Sequence, residues 1–154
     1  MTRLEKLEQE IYDAGIEVID CPSGHPALRG ERSLARVSGG RLRIYIDRRL
    51  PSRLRYCTLA HEFGHFQTGF GGLGISCADR ERSEALAWNW AIEHILPIGL
   101  LMGALRRHRN NGCIDLNAAA DDAEVPLWFL DKAMAYYYDM RDNENLRGGK
   151  TYAR

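Results

Sequence analysis

Residues 51–69 read PSRLRYCTLAHEFGHFQTG. Pro51 and Ser52 suit a helix start, Gly69 suits a stop, and the apolar-rich segment between them is predicted to be helical over 53–68. Inside it, His61-Glu62-Phe63-Gly64-His65 is an HExxH sequence. A spacing of four residues puts both imidazoles on one helix face, about one turn apart, where they can reach a single zinc ion at about 2.0–2.1 Å. Glu62 emerges about 100° round from His61, out of the ligand plane and placed to take a proton from an attacking water. Chance supplies this pattern in a chain of this composition roughly 1% of the time. Two histidines and a glutamate among Leu54, Leu59, Ala60, Phe63 and Phe66 are costly to bury without partners, which favours a metal site.

Catalytic zinc takes three protein ligands and keeps a further position open. The third is expected downstream, where Asp79, Glu81, Glu84, Glu93 and His94 lie on or beside a second long helix predicted from about Arg80 to Leu96. The glycine-rich FGGLGIS at 70–76 cannot continue the first helix, and a second helix running back antiparallel returns its early turns to the histidines. Glu84 is the choice, because it shares a face with Ala87, Trp88 and Ala91, the small and apolar face suited to packing on the HExxH helix. Cys57, one turn before His61, could also approach a metal, although a small buried hydrophobe is the commoner role.

Upstream, Leu4, Leu7 and Ile11 at helical spacing followed by Gly15 predict a short amphipathic helix, and IEVI at 16–19 reads as a strand. The segment CPSGHPALRG is expected to be a loop, with no role assigned to its His25. SLARVSGGRLRIYID at 33–47 alternates on both sides of Gly39-Gly40 and predicts a hairpin. Leu42, Ile44 and Ile46 should face a core, with Arg41, Arg43 and Tyr45 outward and the second strand left as a sheet edge able to accept an extended peptide. Downstream of Pro97, helices are predicted to about Arg107, around Leu116–Ala123 and from Pro126 to about Arg141. One hairpin among several helices gives an α+β class, with a single domain over 1–141 and a disordered polar tail, DNENLRGGKTYAR, over 142–154.

In 154 residues, 21 basic side chains balance 21 acidic ones, and 45% of residues are hydrophobic. That suffices for a core and excludes a global field for holding nucleic acid or an anionic membrane. No direct nucleic-acid partner and no membrane are expected, and the basic runs at Arg41–Arg55 and Arg106–Arg109 read as solvated faces. Direct binding to duplex DNA is a minor alternative, with salt sensitivity as its mark. The N-terminus carries no hydrophobic signal region, and the four scattered cysteines form no CxxC pair, so reduced thiols and a cytoplasmic location are expected. Tyr136, Tyr137 and Tyr138 offer hydroxyls for an oxyanion, but consecutive residues cannot share one helix face and none is assigned.

The runs IYIDRRLPSRLRYCTLAHEFGHFQTG, ERSEALAWNWAIEHILP and DDAEVPLWFLDKAMAYY together resemble the ImmA/IrrE family of zinc metallopeptidases over about residues 41–140. The resemblance implies a zincin-like fold, a small antiparallel sheet packed on the HExxH helix and the glutamate helix. It also implies His61, His65 and Glu84 as metal ligands, Glu62 as the catalytic glutamate, and gluzincin-like chemistry on a protein substrate. Members of that family commonly cleave a helix-turn-helix repressor of a mobile element, prophage or stress regulon. Trp90 stands where the family usually has Phe, and Trp88 and His94 replace the more usual Asn and Leu. The expected function is thus a zinc-dependent endopeptidase, with Mn2+ or Fe2+ as other metals the site could hold in a cell. The alternative is a zinc-containing module that antagonises a repressor by binding without cutting it.

Overall fold

The computed structural model describes residues 1–69 and 77–148, which fall into two compact units, Met1–Ile95 and Leu96–Arg154. The first unit opens with helix α1 (Arg3–Asp13), fixed at its start by a reciprocal capping box in which Thr2 Oγ1 accepts from Glu5 N–H and the Glu5 carboxylate accepts from Thr2 N–H. Its Leu7 and Ile11 are buried, and Gly15, at φ 76°, turns the chain into β1 (Glu17–Cys21). A short 3-10 turn (Pro26–Leu28) leads to β2 (Ser33–Ser38) and β3 (Arg41–Asp47), joined through Gly39-Gly40 at positive φ as a two-residue hairpin requires.

The sheet order is β1-β3-β2, with β1 parallel and β2 antiparallel to β3. Two expectations are corrected here. The sheet is mixed, not antiparallel, and β3 is its centre, not its edge. The alternation around Gly39-Gly40 specifies that two strands pair, but carries no signal for which of them accepts a third. β3 takes that place, and its Ile44 and Ile46 are fully buried there. Among the described residues, β2 and β1 are the edges.

Helix α2 (Ser52–Gln67) lies on the sheet, and nearly every residue from Tyr56 to His65 is buried. Arg55 ties it to α1 through Glu8 and to β1 through Asp20, at 2.9 and 2.5 Å. Helix α3 (Cys77–Ile95) packs against α2 through fully buried Ala87 and Ala91. The two backbones approach so closely that a Cβ added at Gly64 would stand 2.5 Å from the Ala87 carbonyl oxygen. The glycine-rich connection at 70–76 lies outside the described residues.

The second unit holds α4 (Ile98–Arg107), a minimal hairpin of β4 (Arg109–Asn110) and β5 (Cys113–Ile114), α5 (Leu116–Asp122) and α6 (Leu127–Gly148). Leu101, Ala104, Ala119, Val125, Phe129, Leu130 and Ala133 are buried in it. The hairpin was not expected, since two residues per strand give no alternation to read. Its Asn111-Gly112 pair, at φ 50° and 82°, carries the turn signal. Helix α6 also continues through Gly148, past the predicted start of the tail; residues 149–154 lie outside the described residues. Among the described residues, no single helix is long and apolar enough to cross a membrane.

Candidate metal centre

Helix α2 delivers His61 and His65 on one face, with their Nε2 atoms 3.2 Å apart. From α3, Glu84 reaches both, Oε2 lying 3.0 Å from His61 Nε2 and Oε1 3.0 Å from His65 Nε2. Among the described residues these three side chains form a group able to hold a metal ion. Each imidazole nitrogen lies 3.0 Å from one carboxylate oxygen and 3.2 Å from the other nitrogen, separations short enough for the three side chains to share a cation at bonds of about 2.0–2.1 Å. The donor set of two imidazoles and a carboxylate suits a borderline cation such as zinc. Asp79, Glu81, Glu93 and His94 stand outside this group. His94 instead meets Glu10 at 2.6 Å and stacks on Trp90, fastening α3 to α1.

The electrostatics match a site built for positive charge. Hydrogen bonds from His61 and His65 hold the Glu84 carboxyl far below the usual carboxylate range, overriding the opposing effect of burial. For His65, burial alone would lower the pKa, but the Glu84 hydrogen bond and the charges of Glu62 and Glu84 outweigh it and leave the value raised.

Glu62 is buried and turned toward the sheet. Ser33 Oγ donates to its Oε1 at 2.5 Å and the Ala35 backbone N–H to its Oε2 at 2.8 Å. The register explains why this N–H is available. In a two-residue hairpin the residues flanking the turn form a hydrogen-bonded pair, so Ser38, Arg36 and Leu34 bond to β3. Ser33, Ala35 and Val37 then direct their backbone groups to the free edge, where Glu62 lies. Sequence reasoning missed both groups, because no local pattern links Ser33 to a residue 29 positions away.

Other candidates resolve into structural roles. His25 Nδ1 accepts from Ala27 N–H and caps the 3-10 turn. Tyr137 donates its hydroxyl to the Leu96 carbonyl at 3.0 Å, while Tyr138 is exposed. Of the basic runs, Arg43 is paired with Glu17 and Arg107 with Asp122. Cys57 is fully buried against the Leu54 carbonyl, where burial pushes its thiol up to about 12, and it stands outside the donor group. A native-state alkylation at pH 8 should therefore label exposed Cys113 and spare Cys21 and Cys57, read by peptide mass; modification of Cys57 at the rate of Cys113 contradicts this packing.

An α+β fold with a small mixed sheet, a helix-borne HExxH and a third donor from the following long helix is compatible with the zincin class of metallopeptidases. A family model, the IrrE N-terminal-like domain of Peptidase_M78, matches residues 12–111, and the chain belongs to that metallopeptidase family. No curated protein and no solved structure matches it.

Proposed function

We propose that this chain is a zinc-dependent metallo-endopeptidase in which His61, His65 and Glu84 hold the metal and Glu62 is the general base. The supporting observation is the convergence of two imidazoles and a carboxylate, 3.0–3.2 Å apart, beside a glutamate pinned to the edge strand β2. Zinc bound there would supply Lewis-acid polarisation of a peptide carbonyl and a more acidic water. Three protein donors leave a coordination position for that chemistry, as catalytic sites require. Glu62 takes a proton from the attacking water and passes it to the departing amine, so the products are a free carboxyl and a free amino terminus.

An extended substrate segment lies along β2, not β3, because β2 is the edge that faces Glu62 and the backbone groups of Ser33 and Val37 point outward there. A helix-turn-helix repressor in the cytoplasm is the proposed protein substrate, with Mn2+ or Fe2+ as other possible occupants of the metal site. Incubation of the zinc-loaded protein with a panel of such repressors, followed by gel electrophoresis, tests this directly. Discrete fragments that vanish with a chelator are expected. Repressors that bind but stay full length would overturn the peptidase reading in favour of an antagonist.

A further inference from the structure

His61 departs from the usual anatomy of a ligating histidine. Such a ring commonly donates its second N–H to a carboxylate, carbonyl or water, which fixes both tautomer and orientation. The Nδ1 of His61 is buried and has no hydrogen-bond partner among the described residues. Among the described residues, the ring's polar hold is therefore at Nε2 alone, through Glu84 and His65, and no contact at Nδ1 adds to it. What lies against the ring is Trp88, stacked on it with centroids 4.0 Å apart and planes 23° from parallel.

We infer that Trp88 is a positioning residue for the metal centre, its indole holding the His61 imidazole so that Nε2 faces His65 and Glu84. This rests on the metal-site assignment proposed above. Trp88 follows Glu84 by one helical turn, so α3 presents a donor and an aromatic wall to α2 on the same face. A flat stack resists tilting of the imidazole, which would move Nε2 out of the donor triangle. It also favours the metal-bound form in particular. An imidazole that gives electron density to a cation becomes electron-poor, and an electron-poor ring over an indole face gains a cation–π attraction that a neutral imidazole lacks. Trp90 supplies an internal comparison: it stacks on His94 at 4.4 Å and 18°, a histidine outside the donor group.

The test measures zinc affinity by competition with a chromophoric chelator, without reference to activity. Loss of an outer contact to a ligating histidine typically weakens metal binding about 10- to 100-fold. Trp88→Leu keeps an apolar side chain but removes the π face and should raise the zinc Kd about tenfold; Trp88→Phe keeps a ring and should stay within about threefold of the parent. Trp90→Phe should bind zinc as the parent does. Zinc should also change the near-ultraviolet circular dichroism of the parent, and that change should shrink in Trp88→Leu while the far-ultraviolet spectrum of the metal-free protein is retained. Equal affinity in Trp88→Leu and parent, or equal loss in the Phe and Leu variants, overturns the role of Trp88 and leaves the metal site standing. A parent that binds no zinc overturns the metal site itself.

Discussion

Glu62→Gln is expected to keep zinc at the parent stoichiometry while peptide hydrolysis falls by about 10²- to 10⁴-fold, the usual contribution of a positioned general base. The separation of the two effects follows from where the carboxylate lies. Glu62 is outside the His61, His65 and Glu84 donor group, so its charge is not needed to hold the cation. The fold should also survive. Glutamine has the same length, its amide oxygen can still accept from Ala35 N–H, and its NH2 can donate to the Ser33 hydroxyl, which reverses from donor to acceptor. What disappears is the ability to accept a proton from water and return it to the amine. Metal content, thermal unfolding and fragment formation, measured on one preparation, give three independent readings. A variant that cuts as fast as the parent removes Glu62 from the mechanism. A variant that loses both metal and activity shows that the carboxylate supports the site structurally.

The helical spacing of His61 and His65 was legible because helix geometry alone determines it, and Glu84 because the small residues Ala87 and Ala91 mark the face of α3 that approaches α2. The hairpin was legible for the same local reason, through Gly39-Gly40. Strand order was not. Pairing β1 in parallel with β3 depends on where the chain goes after Cys21, through a loop whose sequence announces turns but no destination. That one missing fact moved the free edge from β3 to β2, and with it the surface against which Glu62 is held. The stack of Trp88 on His61 was hidden in another way. A tryptophan next to a small-residue face reads as bulk, and nothing in its spacing says that its flat face meets a histidine whose Nδ1 has no partner among the described residues.

Gly64→Ala should destabilise the protein and disable metal binding together. Intrinsic helix propensity argues the other way, since alanine in a helix interior is favoured over glycine by about 1 kcal/mol. Packing decides the sign. The new Cβ would meet the Ala87 oxygen at 2.5 Å and the Ala87 carbonyl carbon and Cα at 3.2 Å, all backbone atoms of α3 that cannot turn aside as a side-chain end could. Relief requires α3 to move off α2 by nearly an ångström, and overpacking of this kind costs about 1–3 kcal/mol. Ala87 lies three residues from Glu84, so the carboxylate moves with it. Its two 3.0 Å separations from the histidine nitrogens then open toward 4 Å, while a metal site tolerates only about 0.2 Å. A lower melting temperature and a zinc Kd raised at least 100-fold are expected. Gly99→Ala in α4 is the matched control, because a Cβ there meets nothing within 4 Å and should leave stability unchanged or raise it by up to about 1 kcal/mol. If Gly64→Ala binds zinc as tightly as Gly99→Ala, the close approach of α2 and α3 is not what brings Glu84 to the histidines.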